Sequence, residues 1–275
     1  MGTSSSSSGP GSNVPLDPAW LNNILPDLLF GDLPNILQGT PAVEPPNREE
    51  IAAPQRFNGA RRNLNKFAKT GSTENLRRAL GNYSKNGMGG ANRLASRMKV
   101  PSVVGVGMYR LLQEMGNPTD PNTKKWIDNI VNNNLSAYEI ADQICHKIIQ
   151  NGGTVDEESA RNSINTAISD LIQKDPNVDL LKLSNEDIWY VIECFIGEEV
   201  SNRVILDIGQ YLETSDISPK DRVERYSEMS DYIKAEVASN IEDVRNKYSN
   251  PTPKQIFQIL HDSIKNTFEV FEGDL

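Results

Sequence analysis

The stretch Ser184-Asn-Glu-Asp-Ile-Trp-Tyr-Val-Ile-Glu-Cys-Phe-Ile-Gly-Glu-Glu-Val-Ser-Asn-Arg-Val-Ile-Leu-Asp-Ile-Gly-Gln-Tyr-Leu212 carries a long apolar pattern of helical spacing. Ser184 and Asp187 match a capping box, with aspartate in place of the usual glutamate. We therefore expect this stretch to form the central helix of an all-α domain. Its apolar residues lie at helical intervals: Ile188, Trp189, Val191, Ile192, Phe195, Ile196, Val200, Val204, Ile205, Ile208 and Leu212.

Further helices are predicted on both sides of this stretch. Asp120-Pro121, Ser218-Pro219 and Thr252-Pro253 each combine a side chain able to cap a helix with proline at the first helical position. Apolar spacing also predicts helices near 135–150 and from 154 to about 174. Neither an alternating strand pattern nor a repeat of fixed period is present in the sequence, so the predicted fold class is all-α.

Positive charge is concentrated in residues 56–99. This stretch has eleven Lys and Arg residues and one acidic residue, Glu74, whereas the whole chain has a net charge of −9. Its apolar spacing predicts three short helices whose arginine pairs face outward. Such a surface either complements the acidic remainder of the chain or binds a phosphate-bearing ligand or an acidic partner. The predicted basic patch comprises Arg56, Arg61, Arg62, Lys66, Arg77 and Arg78.

These composition changes divide the chain into three predicted sections. Residues 1–55 form a flexible arm, residues 56–116 a basic helical module, and residues 117–275 an acidic helical domain. At the end of the second section, Gly105-Val-Gly107 superficially resembles a phosphate-binding loop. It lacks the third glycine of a dinucleotide site and the Gly-Lys-Ser/Thr ending of a phosphate loop. We expect a closely packed helix there.

A catalytic or metal site is not indicated by the sequence. Common nucleophile, zinc and phosphate-loop motifs are absent, so we expect a non-catalytic protein without a cofactor or metal. Cys145 and Cys194 suit a reducing cytoplasm, and Cys194 is expected to be a packed thiol. Glu198-Glu199 is interpreted as part of a solvated face. The sequence contains no run of 18 apolar residues that would predict a membrane helix.

The first twelve residues, Met1–Ser12, contain no apolar side chain after Met1 and are rich in serine and glycine. Three interpretations remain open from composition. The stretch is a remnant of an expression vector, a myristoylation signal of the form Met1-Gly2-x-x-x-Ser6, or a native arm whose N-terminus is a substrate for a partner enzyme. In each native interpretation the reactive group is the amine of Gly2.

Residues 13–55 combine frequent prolines with short apolar clusters, such as Trp20-Leu21 and Leu28-Leu29-Phe30. Proline at this density prevents long helices and strands. The clusters either dock on the helical body of the same chain or anchor a partner protein as the segment folds on binding.

Several motifs in the N-terminal part resemble the QatB family of the bacterial Qat anti-phage defence system. They are the opening Met-Gly-Thr-Ser, the stretch Arg56-Phe-Asn-Gly-Ala-Arg-Arg-Asn-Leu64, and Leu76-Arg-Arg-Ala-Leu-Gly-Asn-Tyr83 with Gly87-Met-Gly-Gly-Ala91. The resemblance is specific over residues 1–15 and 55–110. It implies that the opening arm is native. It also implies three neighbours: the ATPase QatA, the 7-cyano-7-deazaguanine synthase homologue QatC, and the TatD-like nuclease QatD.

The resemblance further implies a chemistry for Gly2. Synthases similar to QatC adenylate a deazaguanine carboxylate and then let an amine attack it, and the Gly2 amine could take that role. The alternatives are an adaptor subunit that undergoes no modification, or a nucleic-acid sensor that uses the basic patch. If the QatC-like partner modifies Gly2, the arm is expected to bind that partner. The expected contact residues are Thr3, Ser4, Pro10, Val14, Pro15, Trp20, Leu28, Leu29 and Phe30.

Overall fold

The computed structural model describes residues 52–149, 155–213, 215–248 and 250–275, and these residues form helices and connecting turns without a β-strand. The all-α prediction is confirmed. The α-helices are α1 Asn58–Thr70, α2 Thr73–Asn82, α3 Ala91–Arg97, α4 Lys99–Gly116, α5 Pro121–Asn132, α6 Ala137–Ile148, α7 Val155–Lys174, α8 Asn185–Val204, α9 Gln210–Glu213, α10 Pro219–Arg245 and α11 Pro253–Gly273.

Helix α8 is the predicted central helix, and it packs against α4, α7 and α10. Its capping box is present: Ser184 Oγ accepts a hydrogen bond from the Asp187 N–H at 3.1 Å, and Asp187 Oδ2 accepts one from the Ser184 N–H at 3.2 Å. The sequence predicted one unbroken helix as far as Leu212, and that extent is wrong. A π-helical turn at Ile205–Gly209 separates α8 from the short α9.

Helix α11 is a second organising element, because it packs against α2, α3, α4 and α10. Its contact with α4 depends on Gly105, where a Cβ atom would lie 2.6 Å from Leu260 Cδ1. The prediction of a closely packed helix at Gly105 is therefore confirmed. The buried residues of α11 include Ile256, Phe257, Ile259, Leu260, Ile264, Phe268 and Phe271.

The basic stretch folds as α1, α2, a π-helical turn at Tyr83–Met88, and α3. Gly71 ends α1 with a left-handed φ of 66°, and Ser72 caps α2 by accepting a hydrogen bond from the Asn75 N–H. The boundary between residues 116 and 117 stays a prediction about chain organisation. In the structure, Phe67 and Leu80 on one side and Phe195 and Phe268 on the other belong to one hydrophobic core.

None of the helices in the described part of the chain combines the length and apolar character that a membrane crossing requires.

Candidate functional site

Two π-helical turns meet in the core. The turn Tyr83–Met88 follows α2, and the turn Ile205–Gly209 follows α8. Tyr83 Oη donates a hydrogen bond to Asp207 Oδ2 at 2.8 Å, and both side chains are buried. Because π-helical turns interrupt the regular helical ladder and are frequent at functional sites, this meeting point is the first candidate. We call Tyr83, Asp207, Arg203 and Arg56 the polar cluster.

Asp207 is a buried carboxylate with cationic neighbours. Arg203, one helical turn earlier, donates from Nε to Asp207 Oδ2 at 3.2 Å. Arg56 is also buried and within electrostatic range of Asp207; burial lowers the pKa of Arg56, whereas the nearby Asp207 and Tyr83 oppose that shift. A buried carboxylate is tolerated when hydrogen bonds and an opposite charge replace its hydration. Tyr83 and Arg203 supply both.

The hydroxyl of Tyr83 is held in its protonated form. Burial raises the pKa of Tyr83 well above its ordinary value, and the negative charge of Asp207 raises it further. Tyr83 therefore acts as a hydrogen-bond donor at neutral pH. This arrangement is suited to joining the two π-helical turns and gives no indication of proton transfer.

A cavity of about 400 Å³ adjoins the polar cluster at Arg203. The end of α3 and the beginning of α4 form one wall, and α7 and α8 form the other. This volume is within the range of ligand-binding cavities. Its lining combines apolar and charged side chains: Arg97, Met98, Val100, Pro101, Glu158, Glu199, Arg203 and Leu206.

Glu199 is a buried carboxylate in the wall of the cavity. Its Oε1 accepts hydrogen bonds from Ser159 Oγ at 2.9 Å and Ser163 Oγ at 2.6 Å. The interpretation of Glu198-Glu199 as a solvated face is therefore wrong for Glu199, which is 6% exposed. The reason is the tight contact of α8 with α7, which brings two serines of α7 over this carboxylate. Glu198 is less buried and forms an ion pair with Lys234.

Arg97 connects the cavity with the first π-helical turn. It is 7% exposed, and its Nη1 lies 3.7 Å from Met88 Sδ, near the end of that turn. The cavity is thus bordered by residues in contact with both π-helical turns, through Arg97 on one side and Arg203 on the other.

Two arginines of the predicted basic patch lie over aromatic rings. Arg56 is buried, with its guanidinium 4.9 Å from the centroid of the Phe57 ring. Arg61 lies over the ring of Tyr211 at 4.3 Å. The expectation that the arginine pairs face outward is therefore wrong for Arg61, because stacking on an aromatic face provides a favourable cation–π contact.

Two further arginines of the patch form ion pairs at the surface. Arg77 Nε lies 2.6 Å from Asp274 Oδ2, and Arg78 Nη2 lies 2.8 Å from Glu74 Oε1. These pairs reduce the net positive charge that the two arginines present to a ligand.

Arg62 and Lys66 are the patch residues that face solvent on α1. Lys69, which the predicted patch omitted, is also exposed and follows Lys66 by three positions. At these spacings the three side chains share one helical face. We call Arg62, Lys66 and Lys69 the basic row.

The two thiols are poor nucleophiles at neutral pH. Burial raises the pKa of both Cys145 and Cys194 to about 11. The expectation that Cys194 is a packed thiol agrees with its placement against the core. In the described part of the chain, no group of three or more His, Cys, Asp or Glu side chains is arranged to hold a metal ion.

The predicted arm site lies outside the described residues. It comprises Gly2, Thr3, Ser4, Pro10, Val14, Pro15, Trp20, Leu28, Leu29 and Phe30.

Sequence reasoning missed the partners in the polar cluster. The sequence indicated Tyr83 only as part of a family motif and gave no role to Asp207, Arg203 or Arg97. One signal was available, because Asp207 is a lone acidic residue between Leu206 and Ile208 in an apolar run. Acidic residues are rarely fully buried without a partner, so such a residue indicates a buried pair.

A protein-family comparison matches residues 89–271 to the family described as "Qat anti-phage system associated protein QatB". The match begins at Gly89 and ends at Phe271, within α11, so it covers the cavity and includes Asp207. No curated protein and no solved structure shows significant similarity to the chain.

Proposed function

The chain belongs to the QatB family, whose members are associated with the Qat anti-phage system, and on that premise we propose that its Gly2 amine is the substrate of a partner enzyme. The partner is a QatC-like homologue of 7-cyano-7-deazaguanine synthase. The protein is then a non-catalytic component of the defence system. The reaction is proposed to take place in the bacterial cytoplasm.

The proposed reaction forms an amide. The partner uses ATP to convert a deazaguanine carboxylate into an acyl adenylate and releases pyrophosphate. The unprotonated amine of Gly2 attacks the acyl carbon, AMP leaves with the bonding electrons, and the amine loses one proton. An α-amino group has a pKa of about 8, so a useful fraction is unprotonated at neutral pH.

The observation that carries this proposal is the opening sequence itself. Gly2 follows Met1 and has no side chain that would clash in a narrow pocket, and no bulky residue follows before Asn13. Each extended residue from Thr3 to Ser8 adds a reach of roughly 3.3 Å. The arm can therefore carry the amine into the active site of another protein.

The chemistry of the described residues supports a substrate role. A catalytic thiol needs a lowered pKa, whereas Cys145 and Cys194 have raised pKa values of about 11. The buried carboxylates Asp207 and Glu199 are engaged in hydrogen bonds with side-chain hydroxyls. These groups stabilise the fold and leave the N-terminal amine as the better nucleophile.

The arm is proposed to bind the QatC-like partner through two kinds of contact. Thr3, Ser4 and Pro10 would lie near the active site, and apolar residues farther along would anchor the arm: Val14, Pro15, Trp20, Leu28, Leu29 and Phe30. QatA and QatD are proposed as further members of the same complex.

The test is the intact mass of the chain after co-expression with the QatC-like partner. We expect a mass increase of one deazaguanine acyl group, located on Gly2 in the N-terminal peptide. Gly2→Leu prevents removal of Met1 and should abolish the adduct, whereas the matched variant Ser7→Ala should retain it. An unmodified N-terminal peptide in the presence of all active partners would refute the proposal.

An adaptor role is the second candidate, and exposed apolar side chains on α5 and α6 favour it. Val131 is 58% exposed and Tyr138 is 65% exposed, on consecutive helices. Each of these side chains is available to a partner surface that would bury it. If a chain lacking residues 1–12 still captures the partners and supports defence, the adaptor role is sufficient and modification of Gly2 is not required.

A further inference from the structure

The cavity beside the polar cluster has an apolar rim open to solvent. Leu206 keeps 46% of its surface exposed although it lines the cavity together with Met98, Val100 and Pro101. A single exposed leucine is ordinary. An exposed leucine at the mouth of a cavity with three other apolar residues is a surface that gains from being covered.

The N-terminal end of the described chain lies beside the polar cluster, which adjoins the cavity at Arg203. Ala52 is 2% exposed, so the chain joins the body there. Arg56 lies within electrostatic range of Asp207, and Asp207 binds the cavity residue Arg203.

A second route leads from the same end of the chain to the cavity. The Phe57 ring lies so close to Gly87 that no Cβ atom would fit there. The next residue, Met88, contacts the cavity residue Arg97. The N-terminal end of the described chain is therefore connected to the cavity through both π-helical turns.

The preceding segment has the composition that such a cavity would bind. Residues 32–51 contain the apolar group Leu33, Ile36 and Leu37, and they carry four acidic residues against Arg48 alone. Four prolines in this segment favour an extended chain. Twenty extended residues span about 60 Å, which is ample for a return to a neighbouring cavity.

We propose that residues 32–51 of this chain bind back onto the cavity between α3–α4 and α7–α8. The apolar group Leu33, Ile36 and Leu37 covers Leu206 and the apolar wall. Carboxylates of the segment face Arg97 and Arg203.

The other charges of the cavity are compatible with this occupant. Glu199 is bound by the hydroxyls of Ser159 and Ser163, and Glu158 lies at the exposed rim. The acidic side chains of the segment would avoid this rim, and its backbone N–H groups can donate to it. Docking of residues 32–51 leaves residues 1–31 available to a partner, and it does not depend on modification of Gly2.

The test is site-specific photo-crosslinking in the purified full-length chain. A benzophenone amino acid replaces Leu206, and the crosslinked peptides are identified by mass spectrometry after digestion. We expect intramolecular crosslinks to peptides within residues 32–51. The matched control places the same group at Val223, which is 71% exposed on α10, and should not crosslink to that segment. Crosslinks only to a second copy, only to other regions, or none at all would overturn the proposal.

Hydrogen exchange of the full-length chain gives an independent measurement. Leu206→Asp places a charge at the apolar mouth and should increase amide exchange in residues 32–51 by about tenfold, since it favours the undocked state. Val223→Asp is the control and should leave this exchange unchanged. Equal exchange in the Leu206→Asp variant and the unmodified sequence would contradict docking at this site.

Discussion

The hydroxyl of Tyr83 and the carboxylate of Asp207 are joined by a 2.8 Å hydrogen bond across 124 positions of the chain. Each residue belongs to a π-helical turn, so the bond connects two irregular backbone segments in the core. Because the two residues are far apart in the sequence, the bond connects the basic N-terminal helices with the acidic remainder of the chain. This relationship leads to the first two predictions.

Replacing Tyr83 with phenylalanine should destabilise the fold by about 1–3 kcal/mol, because Asp207 loses one buried hydrogen bond. The ring and its stacking with Phe57 are kept. Chemical denaturation with circular dichroism measures the change. Tyr138→Phe, at a site 65% exposed, is the control and should change stability little. Equal stability of the two variants would show that the bond contributes nothing.

Replacing Asp207 with asparagine should also destabilise the fold, by about 1–3 kcal/mol, because Arg203, whose side chain is 27% exposed, loses a charged hydrogen-bond acceptor. Because asparagine and aspartate have nearly the same shape, the lost stability measures the contribution of the charge and its hydrogen bonds. The same denaturation experiment applies, with exposed Asp128→Asn as the control. If Asp207→Asn matches the control, the charge of Asp207 is not needed for stability.

Glu193 should make stability depend on pH. Burial raises the pKa of Glu193 from 4.5 to about 7. Arg245, whose Nε lies 3.5 Å from Glu193 Oε1, and Lys174 favour the charged form, but burial outweighs them. The negative charges of Glu242 and Glu186 raise the pKa further. Between about pH 4.5 and 7 the folded state binds more protons than the unfolded state. The contribution of this group to stability is therefore present below pH 4.5 and is lost as pH rises through 7.

Glu193→Gln removes this titration. Relative to the unmodified sequence, the variant should gain about 1–3 kcal/mol of stability between pH 5 and pH 8. Denaturation at the two pH values measures the difference, and the exposed Glu224→Gln serves as the control. An identical pH dependence of the Glu193→Gln variant and the unmodified sequence would contradict the raised pKa.

Gly105→Val should destabilise the fold by about 1–3 kcal/mol or more, because a branched side chain overpacks the contact of α4 with α11. Even a Cβ atom would lie 2.6 Å from Leu260 Cδ1. Gly116→Ala is the matched control in the same helix, because a Cβ atom there meets nothing within 4 Å. Thermal unfolding should give a lower midpoint for the first variant and an equal or higher midpoint for the second.

The basic row should support at most weak, salt-sensitive binding of nucleic acid. Arg62, Lys66 and Lys69 can neutralise about three phosphates, so the slope of log affinity against log salt should not exceed about 3 in magnitude. Fluorescence anisotropy with labelled DNA and RNA over a salt series measures this slope. The triple glutamine variant should abolish any binding observed. A steeper slope would indicate a larger interface and favour the nucleic-acid sensor.

The sequence alone determined the elements that depend on local interactions. The caps at Ser184, Asp120 and Thr252, and the end of α1 at Gly71, involve residues within a few positions of one another. Apolar spacing likewise identified the buried face of α8. Local contacts of this kind are encoded in neighbouring residues, so they can be predicted without knowledge of packing.

Only the tertiary structure decided the environment of the charged side chains. The same arginine-rich pattern places Arg61 against Tyr211 and leaves Arg62 in solvent, and the pair Glu198-Glu199 has one buried member. Tyr83 and Asp207 meet because α2 and α8 are brought together through the shared core. The sequence lists such side chains, but whether each is buried and with which partner depends on distant helices, and therefore on packing.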